Sequence, residues 1–378
     1  MRLAYVLLSP TWGMHQYTAD LANRMAGAGH EVHLVSTLGL PEDRYSPAVC
    51  IHRPFETRDR GFSPGGLAAT QAAVRGALLA LREIRPDAAH ITGAHLGNPL
   101  LLRALRRDGV PGIHTLHDLH PHAGSSYGRL LYAWNRWVRR EADHLLVHGE
   151  CWSRELIAAG YPASRLTRTP LTHLFVSHRA QAALEERPPS VSYGSFALFI
   201  GRMEGYKGLD VLADAATLVP DPNITVTIAG PGRLDGRVRL PLSPNVDLRS
   251  RLIDDDEAVD LFTRCGVVVL PYVEASQSAL VAAAYFFRKP VIVTRVGALP
   301  EYVVEGQTGW VVPPGSAAAL AAALAEALSD PARLERMGQA GREWYEREQT
   351  AETETLLRMY ETLAAQKEPS AALPGGSE

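Results

Sequence analysis

The stretch FALFIGRMEGYKGLDVL, residues 196–212, joins an apolar run to a helical segment through Gly201-Arg202 and Lys207-Gly208. Lys207 is one of only three lysines in the chain. A strand that ends in glycine and leads into a helix presents free backbone N–H groups, which favour anions. The guanidinium of Arg202 and the ammonium of Lys207 are complementary means of holding a diphosphate. The alternative is a basic pair that only contacts solvent.

Short apolar runs alternate with helical stretches in both halves of the chain, which predicts parallel sheets covered by helices. Ligands of such sheets bind at the carboxyl ends of the strands. We therefore expect an α/β fold in which two Rossmann-like domains face each other across a cleft. The predicted strands are 3–8, 31–36, 88–92, 112–117, 144–149, 165–169, 196–201, 225–230, 246–251, 267–271, 290–294 and 309–313. The predicted helices are 15–27, 67–83, 98–107, 127–141, 152–159, 208–218, 255–264, 278–287, 316–328, 331–339 and 342–365.

The domain boundaries follow from the segment around Pro188-Pro189, which has no strand pattern. We expect a first domain over residues 1–180, a linker over 181–195 and a second domain over 196–345. The composition of the tail, residues 367–378, predicts disorder.

The bulk composition excludes several classes of protein. The chain is 46% hydrophobic and 21% charged, as a globular protein is. No apolar run reaches the ~20 residues that span a bilayer, and the N-terminal run is predicted to be a buried strand and not a signal peptide. Cys50, Cys151 and Cys265 lack metal-ligand spacing, which favours a reducing, cytoplasmic location.

The charge is distributed unevenly along the chain. Residues 1–175 contain 19 Arg and no Lys against 14 Asp and Glu, a balance of +5, so the remainder carries −8 of the total of −3. A mildly basic half attracts an anionic ligand or a membrane surface. Nucleic acid is not expected as a partner, because no dense basic run with interleaved aromatic residues occurs.

The segment YGRLLYAWNRWVRREAD, residues 127–143, mixes tryptophan and leucine with arginine. It is predicted to be a helix that packs on its own sheet with a solvated arginine face. Peripheral contact with an anionic membrane is the alternative, and the oligomeric state stays open.

Two places in the first half are candidate ligand contacts. Gly13 follows the first strand, where a glycine lets a ligand approach the backbone at a helix start; an ordinary turn is the alternative. His117 ends strand 112–117 and is expected to face the cleft, where an imidazole suits proton transfer or hydrogen bonding. A structural histidine is the alternative there.

The segment HDLHPH, residues 117–122, clusters imidazoles with a carboxylate. Pro121 breaks the helical spacing that would put two of these histidines on one face, so we expect no metal site. The acceptor-side candidates are His15, His120 and His122.

In the second half, Glu274 follows the strand 267–271 and precedes ASQSA, a small polar loop that opens a helix. Such a loop offers N–H groups to a phosphate. A carboxylate beside it is explained if it accepts hydrogen bonds from hydroxyls close to that phosphate, as on a sugar. A carboxylate favoured by the helix dipole is the alternative.

The segments GRMEGYKGLDVLADA, IAGPG and PYVEASQS, followed by AYFFRKPVIVTRVGALPEYVVEGQTGWVVPPG, resemble retaining glycosyltransferase family 4, which has the GT-B fold. The motif order covers residues 1–345. The resemblance implies that Arg202 and Lys207 hold the diphosphate of an activated sugar, that Glu274 binds the sugar hydroxyls and that His117 lies beside the reacting carbon. It also implies that a helix over 346–366 crosses back to the first domain. The implied donor-binding set is completed by Gly13, Gly201, Gly230, Gly232, Ile253, Ser276, Ser278, Ala279 and Leu280.

The chain departs from the family pattern at two positions. The second glutamate of the donor motif, which holds the ribose, is Ala282 here, so the nucleotide must be held in another way. The paired glycines of the first-domain loop are Gly13 and Met14. We interpret these changes as traits of a subgroup.

The resemblance implies an enzyme, a hexosyltransferase that moves a sugar from a nucleotide diphosphate-sugar to a hydroxyl acceptor with retention. No cofactor or metal is expected: the acidic run 254–257 is predicted to be the first turn of a helix. The alternatives are a non-catalytic partner subunit that binds sugar nucleotides and a GT-B sugar-nucleotide epimerase or hydrolase.

Overall fold

The computed structural model describes residues 1–57, 66–121 and 128–366, so the tail 367–378 lies outside the described residues. The first half forms a parallel sheet of seven strands in the order β3-β2-β1-β4-β5-β6-β7. Its strands are β1 (Arg2–Leu7), β2 (Glu31–Thr37), β3 (Val49–Phe55), β4 (Ala88–Ile91), β5 (Gly112–Thr115), β6 (His144–Val147) and β7 (Leu166–Arg168). Its helices are α1 (Trp12–Gly27), α2 (Gly66–Ile84), α3 (Asn98–Arg107), α4 (Gly128–Glu141) and α5 (Glu150–Ala158).

The second half forms a parallel sheet of six strands in the order β10-β9-β8-β11-β12-β13. Its strands are β8 (Phe196–Ile200), β9 (Thr225–Gly230), β10 (Val246–Ser250), β11 (Val267–Leu270), β12 (Val291–Thr294) and β13 (Gly309–Val312). The remaining helices are α6 (His178–Glu186), α7 (Leu209–Leu218), α8 (Asp255–Arg264), α9 (Leu280–Phe286), α10 (Ala317–Leu328) and α11 (Pro331–Ala365).

Both faces of the first sheet are buried, and β1 shows how. Ala4 and Val6 point into a core shared with α2, α3 and α4. Leu3 and Tyr5 point into a different core, shared with α1 and the end of α11. This alternation follows from the period of two along a strand. Burial on both faces explains why the strand sequences are nearly continuous apolar runs.

The long helix α11 connects the two halves. Its first part packs on the core of the second half through Leu334 and Trp344. Its last part packs on the first sheet, where the hydroxyl groups of Tyr360 and Tyr5 lie 3.0 Å apart. Between these parts, Glu352 forms an ion pair with Arg24 of α1, at a distance of 2.9 Å. Breaking such a buried pair costs about 3–5 kcal/mol.

Three differences from the sequence-based expectations have physical explanations. Strand β3 was missed because it is an edge strand with exposed polar side chains. The expected linker begins inside helix α6, which has no buried residue and therefore no apolar pattern to detect. The expected break between two C-terminal helices is absent. Gly338 and Gly341 allow α11 to lie against the carbonyl of Arg288 and the ring of Tyr285, where a Cβ would collide.

Candidate active site

The loop after β8 is shaped by close approaches of the backbone. Gly208 has a φ of 66° and precedes α7, and a Cβ at this position would overlap the carbonyl oxygen of Pro271. The next loop is fixed to it, because the N–H of Val273 donates to the carbonyl of Tyr206 at 2.9 Å. The strands β8 and β11 are neighbours in the sheet, so residues 201–208 and 271–280 form one continuous part of its carboxyl edge.

Lys207 lies in this edge with its ammonium over two aromatic rings. Its Nζ is 3.8 Å from the ring centroid of Tyr272 and 4.9 Å from that of Tyr206. Contacts of this kind hold an ammonium in place by attraction to the ring face. Within the described ranges no carboxylate pairs with it, so its charge is available to an anion.

Arg202 is paired with a nearby carboxylate. Its guanidinium lies 2.9 Å from the carboxylate of Glu204, and its side chain is 63% exposed. An exposed pair of this kind contributes about 0–1 kcal/mol and exchanges easily. Burial and the nearby Glu204 carboxylate raise the pKa of Tyr206, so its hydroxyl stays protonated. Arg202 borders the same edge as Lys207, but its guanidinium is engaged with Glu204.

The loop that carries Glu274 reaches across the cleft. The hydroxyl of Ser276 donates to Asp118 at 2.7 Å, and the side-chain amide of Gln277 donates to the carbonyl of His117 at 2.9 Å. Ser278 faces its own domain, with its hydroxyl 3.3 Å from that of Tyr272. The loop thus contacts both the lysine side and the histidine side of the cleft.

His117 follows β5 at the carboxyl edge of the first sheet, as expected from its position. Its Nε2 donates to the carbonyl of Thr92 at 2.8 Å, which fixes the hydrogen on that nitrogen. Its ring lies edge-on against Tyr17, with centroids 4.9 Å apart. The hydrogen bond and the ring contact together hold the imidazole in one orientation.

Sequence reasoning missed two further histidines at this edge. His148 follows β6 and His173 follows β7, and both rings contact Tyr17, at 5.2 and 5.6 Å. Burial lowers the pKa of His173 to about 4 and that of His148 well below its usual value, so both are neutral at pH 7. The available signal was their place near the carboxyl ends of predicted strands: His148 lies in the last part of 144–149 and His173 shortly after 165–169, as His117 ends 112–117.

The acceptor-side candidates do not gather in one place. His15 is 1% exposed, hydrogen-bonded to the Tyr45 hydroxyl at 2.9 Å. His120 is exposed and pairs with Glu155. His122 lies outside the described residues. Gly13 is in the first turn of α1, and a Cβ there would meet no atom within 4 Å, so space is open beside this backbone.

The other donor-set residues lie along the second edge or behind it. Gly230 ends β9 and Gly232 follows it, and the backbone of Gly201 approaches Gly230 so closely that a Cβ would overlap it. Ile253 is partly buried against the second core, and Ala279 and Leu280 open α9. Ala282 is 1% exposed inside that core. A ribose contact from position 282 is therefore absent.

The acidic run 254–257 starts a helix. Asp254 caps α8 by accepting from the N–H of Glu257 at 2.8 Å, and Asp255 accepts from Arg44. In the described ranges no three His, Cys, Asp or Glu side chains form a group that could hold a metal ion. Over the same ranges, no helix combines the length and apolar character needed to cross a bilayer.

A carboxylate of the second half contacts the start of a helix in the first half. Glu301 accepts from the N–H of Cys151 at 2.8 Å and from that of Glu150, the first two residues of α5. The Tyr302 hydroxyl donates to the carbonyl of His148 at 3.3 Å. A negative charge at a helix N-terminus is stabilising, so these contacts hold the two halves together.

Comparison with known proteins places this geometry in a family. Residues 13–172 match the model for a glycosyl transferase 4-like domain, and residues 195–330 match that for glycosyl transferases group 1. The chain is 27% identical to a glycogen synthase of Mycobacterium tuberculosis, over 96% of this chain and 94% of that protein.

Solved structures share the fold. Sucrose-phosphate synthase from Thermosynechococcus elongatus has a TM-score of 0.75 at 20% identity, covering 97% of this chain and 99% of that chain. Anabaena Alr3699/HepE, solved in complex with UDP and glucose, has a TM-score of 0.74 at 16% identity, covering 96% and 100%. The predicted fold class, two Rossmann-like domains of the GT-B type, is confirmed. Because both halves match glycosyltransferase models, the chain belongs to the GT-B glycosyltransferases.

Proposed function

We propose that this protein transfers a hexosyl group from a nucleotide diphosphate-sugar to a hydroxyl acceptor with retention of configuration. The observation that carries the proposal is the loop 273–280. It lies at one end beside the ammonium of Lys207, which pairs with no carboxylate of the described residues. At the other end it hydrogen-bonds to the carbonyl of His117. A donor whose phosphates meet Lys207 would therefore extend its sugar toward His117.

The donor class is supported by the similar proteins. HepE has been solved with UDP and glucose bound, and the M. tuberculosis relative is named a glycogen synthase. The cationic edge in this chain suits the same class of ligand, because a diphosphate needs fixed positive charge and N–H groups around it.

The mechanism follows from the charges that develop. Cleavage of the bond between sugar and phosphate builds negative charge on the leaving diphosphate. Lys207 would stabilise that charge directly, and Arg202 would exchange Glu204 for a phosphate oxygen. Hydrogen-bond donors and charges that are preorganised in a closed cleft stabilise a transition state far more than they would in water.

Retention requires no carboxylate base in this scheme. The leaving phosphate oxygen takes the proton of the acceptor hydroxyl on the face from which it departs. Glu274 would accept hydrogen bonds from the donor sugar hydroxyls, and His117 would contact the sugar near its reacting carbon. None of these steps uses a metal ion.

A donor screen followed by turnover tests this proposal. Nucleoside diphosphates and their sugars are first ranked by thermal shift, because ligands that bind the native state raise its apparent stability. The best donor is then incubated with the protein and a panel of hydroxyl acceptors, and product stereochemistry is read by NMR. Transfer with an unchanged anomeric configuration is the expected result. Inversion, or epimerisation of the donor, contradicts the proposal.

The non-catalytic partner subunit is the second candidate, favoured by the buried Ala282 in place of a ribose contact. It predicts donor binding without transfer or hydrolysis under the same conditions.

A further inference from the structure

One side of the first domain is formed by α2, α3 and α4, and we call its outer surface the α2–α4 face. The three helices pack side by side and bury their inner sides in one core. Together they contain nine arginines and two glutamates, although the whole chain carries −3. One of these glutamates, Glu141, is 6% exposed. Seven of these arginines are exposed, so positive charge is concentrated on the outside.

Ion pairs neutralise only part of this charge. Arg82, Arg106 and Arg140 pair with Asp108, Asp143 and Glu141. Four further arginines on this face are exposed and form no ion pair with a described residue: Arg75, Arg103, Arg107 and Arg136.

Large apolar side chains lie among these arginines. Leu79, Leu100 and Leu130 are 53%, 39% and 47% exposed, and Tyr132 is 49% exposed. Leu78, Leu79 and Leu100 line a groove of about 420 Å³ between α2 and α3, together with Arg75 and Arg82 as well as Gln71 and Val74. A surface that combines exposed leucine with arginine that has no described ion-pair partner differs from an ordinary solvated surface, which is polar. It also differs from a packed core, which excludes unpaired charge.

The apolar side chains also have a direction relative to the cleft. Leu100 is the third residue of α3 and Leu130 the third of α4. Each helix begins where its preceding strand ends, so these leucines lie at the carboxyl edge of the sheet. Leu100 and Leu130 thus lie on the side of the face toward the proposed active site.

We propose that the α2–α4 face docks on an anionic lipid surface. Its leucines enter the interface while the arginine stems lie along the acyl chains and the guanidinium groups reach the phosphates. Complementary charge selects this occupant, because the rest of the molecule is acidic and would be repelled. Docked in this way, the cleft opens beside the lipid headgroups.

Co-sedimentation with vesicles tests docking without knowledge of the sugar acceptor. The full chain should pellet with vesicles of phosphatidylcholine containing about 30% phosphatidylglycerol, and lose binding as salt screens the attraction. It should stay in solution with phosphatidylcholine alone. Equal binding to both vesicle types, or no binding to the anionic ones at low salt, overturns the proposal.

Matched variants locate the contact. The triple variant Arg75→Gln, Arg103→Gln, Arg107→Gln should bind anionic vesicles about a hundredfold more weakly, from the usual contribution of each arginine near an anionic leaflet. The control is Arg239→Gln, Arg264→Gln, Arg347→Gln, which changes the net charge equally on other exposed surfaces and should bind as the parent does. Equal losses in both triple variants overturn the proposal.

The double variant Leu79→Ser, Leu100→Ser isolates the apolar contribution and should weaken binding about tenfold. Analytical ultracentrifugation of the same proteins examines the competing occupant, a second copy of the chain. A parent dimer that this double variant dissociates, without vesicle binding by either protein, overturns lipid docking in favour of self-association.

Discussion

The carboxyl edges of the two sheets share a backbone plan but carry opposite chemistry. All 14 histidines lie within residues 1–178, whereas all three lysines lie beyond residue 200. At the first edge, His117, His148 and His173 surround the ring of Tyr17. At the second, Lys207 rests on tyrosine rings beside glycine-shaped loops.

This difference indicates that the two edges suit different kinds of ligand. Imidazoles that burial keeps neutral can donate and accept hydrogen bonds, which suits a hydroxyl compound. A fixed cation suits a ligand that is always charged and gains more charge as it leaves. Under the proposed function, the first edge would bind a neutral acceptor and the second a diphosphate.

Acidification should have the largest effect, because it should lower the stability of the first half but not that of the second. Burial lowers the pKa of His15 and His144 to about 4 and that of His114 to about 3. Since these groups gain protons more readily when unfolded, the first half loses stability as pH falls below about 6.5 toward 4, by about 4 kcal/mol per pH unit for the three together. Hydrogen exchange at pH 7 and pH 5 measures this.

The second sheet is the internal control of that experiment, because the strands β8 to β13 contain no histidine. Its amides should keep their protection while those of β1 to β7 lose theirs. Simultaneous loss in both sheets would contradict the assignment.

Replacing the second edge's fixed charge should have the next largest effect. Lys207→Ala removes a cation from the leaving diphosphate and should lower kcat about 10²–10³-fold, a typical cost for one electrostatic contact in a transition state. The matched control is Arg239→Ala, a cation of the same domain with an 86% exposed side chain. Comparable turnover in both variants would count against the role of Lys207.

The shape of the second edge is examined by Gly208→Ala. The left-handed conformation and the overlap with the carbonyl of Pro271 should destabilise the protein by about 2–3 kcal/mol, measured by chemical denaturation. Gly236→Ala is the control, since a Cβ there would meet no atom within 4 Å. If Gly208→Ala is as stable as the control, the loop is not held as described.

The smallest expected effect distinguishes a contact with the sugar from a contact with the phosphates. Glu274→Ala should weaken binding of the nucleotide sugar about tenfold more than binding of the free nucleoside diphosphate, because only the sugar supplies hydroxyls to the carboxylate. Calorimetric titration of the same variant with both ligands provides the ratio. An equal loss for both would exclude a sugar contact.

Much of the fold could be predicted from local pattern. The strands β1 and β8 appeared as apolar runs because both faces of a parallel sheet are buried. The edge strand β3 was not found, because one side of it meets solvent and its sequence lacks the run. The helix α6 was missed for a related reason: none of its residues is buried.

The site was predicted unevenly. His117, Lys207 and Glu274 were singled out because each follows a predicted strand, and the structure places them after β5, β8 and β11. Their roles in binding and catalysis stay predictions. The pairing of Arg202 with Glu204 could not be foreseen, since it depends on the rotamers of two exposed side chains. His148 and His173 converge with His117 only because their strands are neighbours in the sheet.

The sequence by itself determined the alternation of strands and helices, the two sheets and the cations at the second edge, because periodicity and residue type are local properties. Only the tertiary structure decided which residues meet across the cleft. The contacts of Gln277 with His117 and of Glu301 with α5 join residues about 150 positions apart. Contacts of that range depend on how two folded sheets pack together, and no local pattern encodes that packing.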